Sequence, residues 1–128
     1  MNQGFLTPNP VAAPRAWTVS ALCRAVADTL REKLRETDFI ARYGGEEFVL
    51  LLMEQSLESA LACCERLRLA ILDYCWDEVH PLLHVTASFG IQWCPGPQPW
   101  EQALRQADLA LYQAKRHGRN RLQLATLN

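Results

Sequence analysis

The stretch Arg42–Leu52, RYGGEEFVLLL, places two glycines and two glutamates directly ahead of an unbroken apolar run. FIARY (39–43) on one side and EEFVLLLM (46–53) on the other are strand-length segments. The Gly44-Gly45 pair between them is the two-residue signal for a tight hairpin whose turn needs positive φ. Two antiparallel strands are expected. Because successive strand side chains point to opposite faces, Glu46 shares a face with Phe48 and Leu50, and Glu47 with Val49 and Leu51. Such a tip is most often a solvated turn. The chemical alternative is one carboxylate holding magnesium together with nucleotide phosphates and water, the glycines letting phosphates approach the backbone closely.

Outward from the hairpin, helical and strand periods alternate. Upstream, Val19, Leu22, Val26, Leu30 and Leu34 recur at helical spacing, with Thr18 as cap and Trp17 as staple, and the helix ends near RETD. Downstream, Ser56 opens a second helix whose apolar face is Leu57, Ala60, Leu61, Cys64, Leu67 and Ile71. HVTASFGIQW (84–93) then alternates strictly, with Val85, Ala87, Phe89, Ile91 and Trp93 on one face, and reads as a half-buried strand. After the turn CPGPQP, a third helix carries Trp100, Ala103, Leu104, Ala107 and Leu111 inward and stops at Gly118, with Lys115, Arg116 and His117 in its last turn. RNRLQLATL closes the chain as a short edge strand. This order implies an α+β layer of helices on a mostly antiparallel sheet. Residues 1–17, with three prolines among the first sixteen and no period, read as an irregular lead-in, leaving 18–128 as the folded part.

Bulk properties exclude several classes. The 128 residues make one domain large enough for a core of its own. Thirteen Lys and Arg against fourteen Asp and Glu give a net charge of -1, so no general attraction to nucleic acid is expected and phosphate binding must come from local placement. The five cysteines contain no CxxC spacing and follow no secretory signal, which fits free thiols in a reducing cytoplasm rather than a zinc site. No run approaches the roughly 18 apolar residues of a membrane span.

GGEEF with RETD just upstream, VTASFG in the middle and ADLALYQAKRHGRNR near the end resembles the GGDEF family of diguanylate cyclases from about Val19 to Leu124. The resemblance implies a nucleotidyl-cyclase palm, ferredoxin-like, in which two GTP molecules on a homodimer condense to cyclic di-GMP, each 3′-hydroxyl attacking the other nucleotide's α-phosphate. It implies that Glu46 is the magnesium-binding acid, with manganese as a substitute, and that Glu47 beside it supports catalysis. Gly44 and Gly45 would form the nucleotide-facing turn, and Lys115 and Arg119 would contact the phosphates. An Arg fork and a cation at a helix end suit a triphosphate, although both also simply complement the helix dipole. Arg35 and Asp38 match the family's RxxD inhibitory motif for cyclic di-GMP, with Arg66 as its second arginine. Asp108 and Tyr112 also match, with packing or hydrogen-bonding roles.

The family's opening segments, resembling DxLTGLxNRR, DxDxFKxxND and GHxxGD, have no counterpart. With them go the partner metal-binding aspartate, its neighbouring carbonyl ligand, a phosphate-binding lysine and the guanine-reading Asn and Asp. The expected fold is therefore truncated at its first, central strand, with the gap closed by direct pairing of the remaining strands or by a strand-complementing partner. Without a second acid the two-metal clamp of in-line phosphoryl transfer is incomplete, and weak or no cyclase activity is expected of this chain alone. Two functions compete: a diguanylate cyclase, and a degenerate GGDEF module acting as a cyclic di-GMP receptor or interaction domain.

Overall fold

The computed structural model describes residues 2–10, 19–44, 46–78 and 83–126. In chain order these form β1 (Asn2–Pro10), α1 (Val19–Lys33), β2 (Phe39–Gly44), β3 (Glu47–Leu52), α2 (Leu57–Asp73), a 3₁₀ turn (Trp76–Glu78), β4 (Val85–Trp93), α3 (Trp100–Arg116) and β5 (Leu122–Leu124). The five strands make one sheet in the order β2-β3-β1-β4-β5, antiparallel except for the β4–β5 pair. The α+β palm architecture is the one expected.

The expected gap at the sheet's centre is not there. What read as an irregular lead-in is, from Asn2 to Pro10, the central strand, paired with β3 from Asn2↔Leu52 to Leu6↔Phe48 and with β4 from Asn2↔Trp93 to Pro10↔Val85. No second chain is needed to complete the sheet. Pro8 and Pro10 hid this strand, because proline lacks the N–H that a two-sided ladder uses. Both lie beyond Leu6↔Phe48, the last pair with β3, where β1 has a partner on one side only. Residues 11–18, including the cap at Thr18 and the staple at Trp17, fall outside the described residues.

Helices cover both faces. Leu22, Val26 and Leu30 of α1 and Cys64, Leu67 and Ile71 of α2 are buried with Phe48, Leu50, Leu52, Val85, Ala87, Phe89 and Ile91 in one core. Ser56 caps α2 as expected. The Ser59 N–H donates to Ser56 Oγ at 3.1 Å and the Ser56 N–H to Ser59 Oγ at 3.4 Å, so each satisfies an amide that the first turn leaves without a helical partner. Burial pushes the Cys64 thiol up to about 12, with smaller contributions from nearby acidic groups, so it stays protonated at neutral pH.

On the opposite face α3 packs Ala107 and Leu111, flanked by its own Leu104, against Val49 of β3. The expectation of a half-buried β4 is corrected here, since Ser88, Gly90 and Gln92 are buried as well. Gly90 explains how. A Cβ there would stand 2.0 Å from the Ala107 carbonyl oxygen and 2.3 Å from the Leu111 nitrogen, so only a missing side chain lets the α3 backbone lie on the strand. Trp100, expected to point inward, is 63% exposed at the first position of α3.

Candidate functional site

The hairpin is one residue out of the expected register. Its last ladder pair is Gly44↔Glu47, with a bulge between Arg42 and Gly44, so Glu46 belongs to the turn rather than to a strand. Gly45 lies outside the described residues. The two adjacent carboxylates still diverge. Glu46 acts on the α1 side: burial pushes the Cys23 thiol up, Arg42 opposes this and Glu46 adds to it. Glu47 acts on the α3 side, where its Oε1 stands 4.0 Å from Lys115 Nζ, with both side chains about one-third exposed or less.

Lys115 stands in the last turn of α3, and Arg119 lies just past its end. The helix stops as its sequence requires. Gly118 at φ 116° allows the Arg119 N–H to reach back to the Ala114 carbonyl at 2.9 Å and the Gly118 N–H to the Lys115 carbonyl at 3.4 Å. Arg119 and Asn120 continue in the left-handed region at φ 63° and 48°, a conformation that costs an L-residue roughly 1–2 kcal/mol. Sequence reading missed what holds this turn. Arg68 on α2 donates from Nη1 to Asn120 Oδ1 at 2.8 Å, and the Asn120 N–H donates to Ser88 Oγ at 3.1 Å. Glu65 grips the other edge of the same guanidinium through both carboxylate oxygens. The hydrogen bond to Arg68 holds the Glu65 carboxyl below its usual range. The only signal available beforehand was the i, i+3 spacing of Glu65 and Arg68 on one helix face.

Beside the hairpin a cleft of about 340 Å³ runs between α1 and β2, lined among others by Cys23, Phe48, Arg24, Arg31 and Arg42. Three guanidinium groups against one carboxylate, Asp28, make it electropositive.

The RxxD segment forms a second cluster. Asp38 accepts the Arg35 N–H at Oδ2 (2.9 Å) and the Met53 N–H at Oδ1 (3.1 Å), which ties the end of α1 to the end of β3. The Arg35 guanidinium donates to Glu54 at 3.2 and 3.4 Å; Arg35 is 60% exposed, whereas the Glu54 side chain is only 5% exposed. Arg66 belongs to the same neighbourhood. The Cys63 thiol, pushed up by burial and by Glu54, also feels Arg66, Asp38 and Arg35. Arg35, Asp38 and Arg66 thus lie within electrostatic reach of one buried thiol, and Glu54 is the member that the sequence motif does not include. Asp108 and Tyr112 are exposed rather than packed, and the Arg116 guanidinium carbon lies 5.8 Å from the centre of the Tyr112 ring.

Among the described residues no group of three His, Cys, Asp or Glu is assembled that could hold a metal by protein ligands alone. No helix among them is long and apolar enough to cross a membrane.

The model of the diguanylate cyclase GGDEF domain matches residues 19–121. Diguanylate cyclase DgcP of Pseudomonas aeruginosa is 46% identical over 102 residues, which cover 80% of this chain and 15% of that protein. The chain therefore spans less than a sixth of that relative's length. Among solved structures, the GGDEF domain of PA1120 from Pseudomonas aeruginosa superposes with a TM-score of 0.82 at 25% identity, over 99% of this chain and 84% of that one. The GGDEF domain of DgcB from Caulobacter crescentus, in complex with cyclic di-GMP, gives 0.76 at 25% identity over 97% and 78%.

Proposed function

Because this chain belongs to the GGDEF family of diguanylate cyclase domains, we propose that its hairpin end binds GTP with magnesium and that its RxxD cluster binds cyclic di-GMP. The observation that carries the first half is the Glu47–Lys115 approach at 4.0 Å, which brings the signature hairpin to the basic end of α3. Glu46 is the carboxylate that would hold magnesium or manganese. A single half-buried acid at a turn fits one ion whose remaining ligands are phosphate and water oxygens. Bound there, the ion supplies positive charge against the triphosphate. Lys115, steadied by Glu47, and Arg119 contact the phosphates, Gly44 at the end of β2 lets them approach the backbone, and the electropositive cleft beside the hairpin receives the rest of the nucleotide.

The reaction needs two such chains in a homodimer. Each 3′-hydroxyl attacks the α-phosphate of the other's nucleotide, so two phosphodiester bonds form and two pyrophosphates leave. The first carboxylate in the sequence is Asp28, so β1 brings no acid to the site. Turnover by this chain alone is therefore slow or nil, for want of the second acid that clamps both reacting oxygens. Such chemistry belongs in the cytoplasm, where GTP is available. Purified chain incubated with GTP and magnesium, and analysed chromatographically, should yield at most traces of cyclic di-GMP. Rapid product formation that Glu46→Gln abolishes would overturn that expectation and make the chain a working cyclase.

The RxxD cluster supports the second half. Asp38 is held by two backbone amides while Arg35 stays largely exposed, so the motif is formed before any ligand arrives. In an active dimer this site would restrain the enzyme with its own product; in an inactive chain it would make the domain a receptor. Calorimetric titration with cyclic di-GMP tests it, and unchanged affinity in Arg35→Ala would remove the assignment.

A further inference from the structure

The turn from Gly118 to Asn120 is held from outside itself. Three successive residues have φ of 116°, 63° and 48°, and two of them are not glycine. L-residues keep such conformations where the surroundings over-determine them. The helix-end bonds account for Gly118 and the Arg119 amide. For Asn120 the restraint comes from two other elements: Arg68 of α2 on its side-chain oxygen and Ser88 of β4 on its amide. Arg68 is itself oriented by Glu65 through a paired carboxylate contact, and its side chain is 16% exposed. A charge-assisted bond of this kind, partly shielded from water and fixed at both ends of the guanidinium, is directional.

We propose that Arg68 is a positioning residue for the nucleotide phosphates: by clamping Asn120 it fixes the left-handed turn from which Arg119 is presented to the ligand. This rests on the reading of Arg119 as a phosphate contact. The helix α2 thereby couples its own packing on the sheet to the geometry of a cation at the far end of α3. Glu65, Arg68, Asn120 and Ser88 form one relay ending at exposed Arg119, whose carbonyl also accepts from Arg121 Nε at 3.1 Å.

The test is a double-mutant cycle read by calorimetric titration of the full chain with the non-hydrolysable analogue guanosine 5′-(β,γ-imido)triphosphate and magnesium. Arg68→Met removes the clamp. Asn120→Gly removes its acceptor yet keeps a residue that accepts positive φ, and it carries the test should Arg68→Met not fold. Each is expected to weaken binding about tenfold, and that loss should vanish when Arg119 is already alanine, since there is no cation left to position. A purely structural role would leave the same loss in both backgrounds. A folded Arg68→Met or Asn120→Gly chain that binds like the parent while Arg119→Ala binds weakly would overturn the inference and leave the site assignment standing. If Arg119→Ala also binds like the parent, or the parent does not bind the analogue, the phosphate reading falls and the inference with it.

Discussion

At Gly90 the absence of a Cβ lets a helix backbone rest on a strand, and a shift of a few tenths of an ångström would not make room for one. At the hairpin end of the same sheet, Glu46, Glu47 and Lys115 remain partly in water, and their nearest approach is a 4.0 Å ion pair. The first region is specified by shape and the second by charge. Substitutions should therefore separate: those around β4 should cost stability with affinity intact in whatever remains folded, and those at the hairpin should cost affinity with stability intact.

The largest effect should come from Gly90→Ala. With backbone atoms of α3 in the way, neither side can yield by rotating a side chain, and a loss of about 3 kcal/mol or more is expected in urea unfolding. A variant as stable as the parent would mean that α3 does not lie on β4 as described.

Arg35 stands between the two regimes, because its partner Glu54 is almost fully buried while Arg35 itself is exposed. Arg35→Ala should leave a carboxylate in the interior without its cation and lower stability by roughly 1–3 kcal/mol, while also weakening cyclic di-GMP binding. If Arg35→Ala,Glu54→Leu recovers the stability but not the binding, the two roles are separate.

Lys115→Met is the reverse case. A partly exposed ion pair at 4.0 Å contributes at most about 1 kcal/mol to folding, so the unfolding midpoint should barely move while affinity for the magnesium–nucleotide analogue drops about tenfold. Equal loss in both would blur the contrast.

The smallest effect is a pH dependence. The hydrogen bond from Arg68 holds the Glu65 carboxyl below the usual carboxylate range, so the folded state binds its proton less readily than the unfolded chain does. The stability it lends is full above the unfolded pKa and is lost as pH falls through the folded one. Its side chain is 42% exposed, which keeps the contribution below about 1 kcal/mol. Unfolding midpoints at pH 7 and pH 3.5 should differ slightly less in Arg68→Met than in the parent.

The same contrast governs what could be read from the letters. The helix ridges, the cap at Ser56, the stop at Gly118 and the hairpin strands were legible because each is a local pattern of side-chain spacing or turn chemistry. β4 was legible as a strand but not as one buried on both faces. Its second face is Ser, Gly and Gln, residues whose burial depends on how closely α3 approaches. β1 was not legible at all. Its nine residues include two prolines and only Phe5 and Leu6 as large apolar residues besides polar Asn, Gln and Thr, and its strand state is conferred by the ladders of β3 and β4 on either side. Arg68 and Glu54 escaped notice for a related reason. Each acts on a residue distant in sequence, Asn120 and Arg35, and no spacing announces such a pair.

The central claim is that the turn carrying Glu46 is where a magnesium-bound guanine nucleotide sits. Calorimetric titration of the chain with guanosine 5′-(β,γ-imido)triphosphate, with and without magnesium, on the parent and on Glu46→Gln, tests it most directly. Binding should need the ion, and Glu46→Gln should weaken it roughly ten- to hundredfold at an unchanged unfolding midpoint. Binding that is indifferent to magnesium, or a Glu46→Gln chain that binds as tightly as the parent, would contradict it.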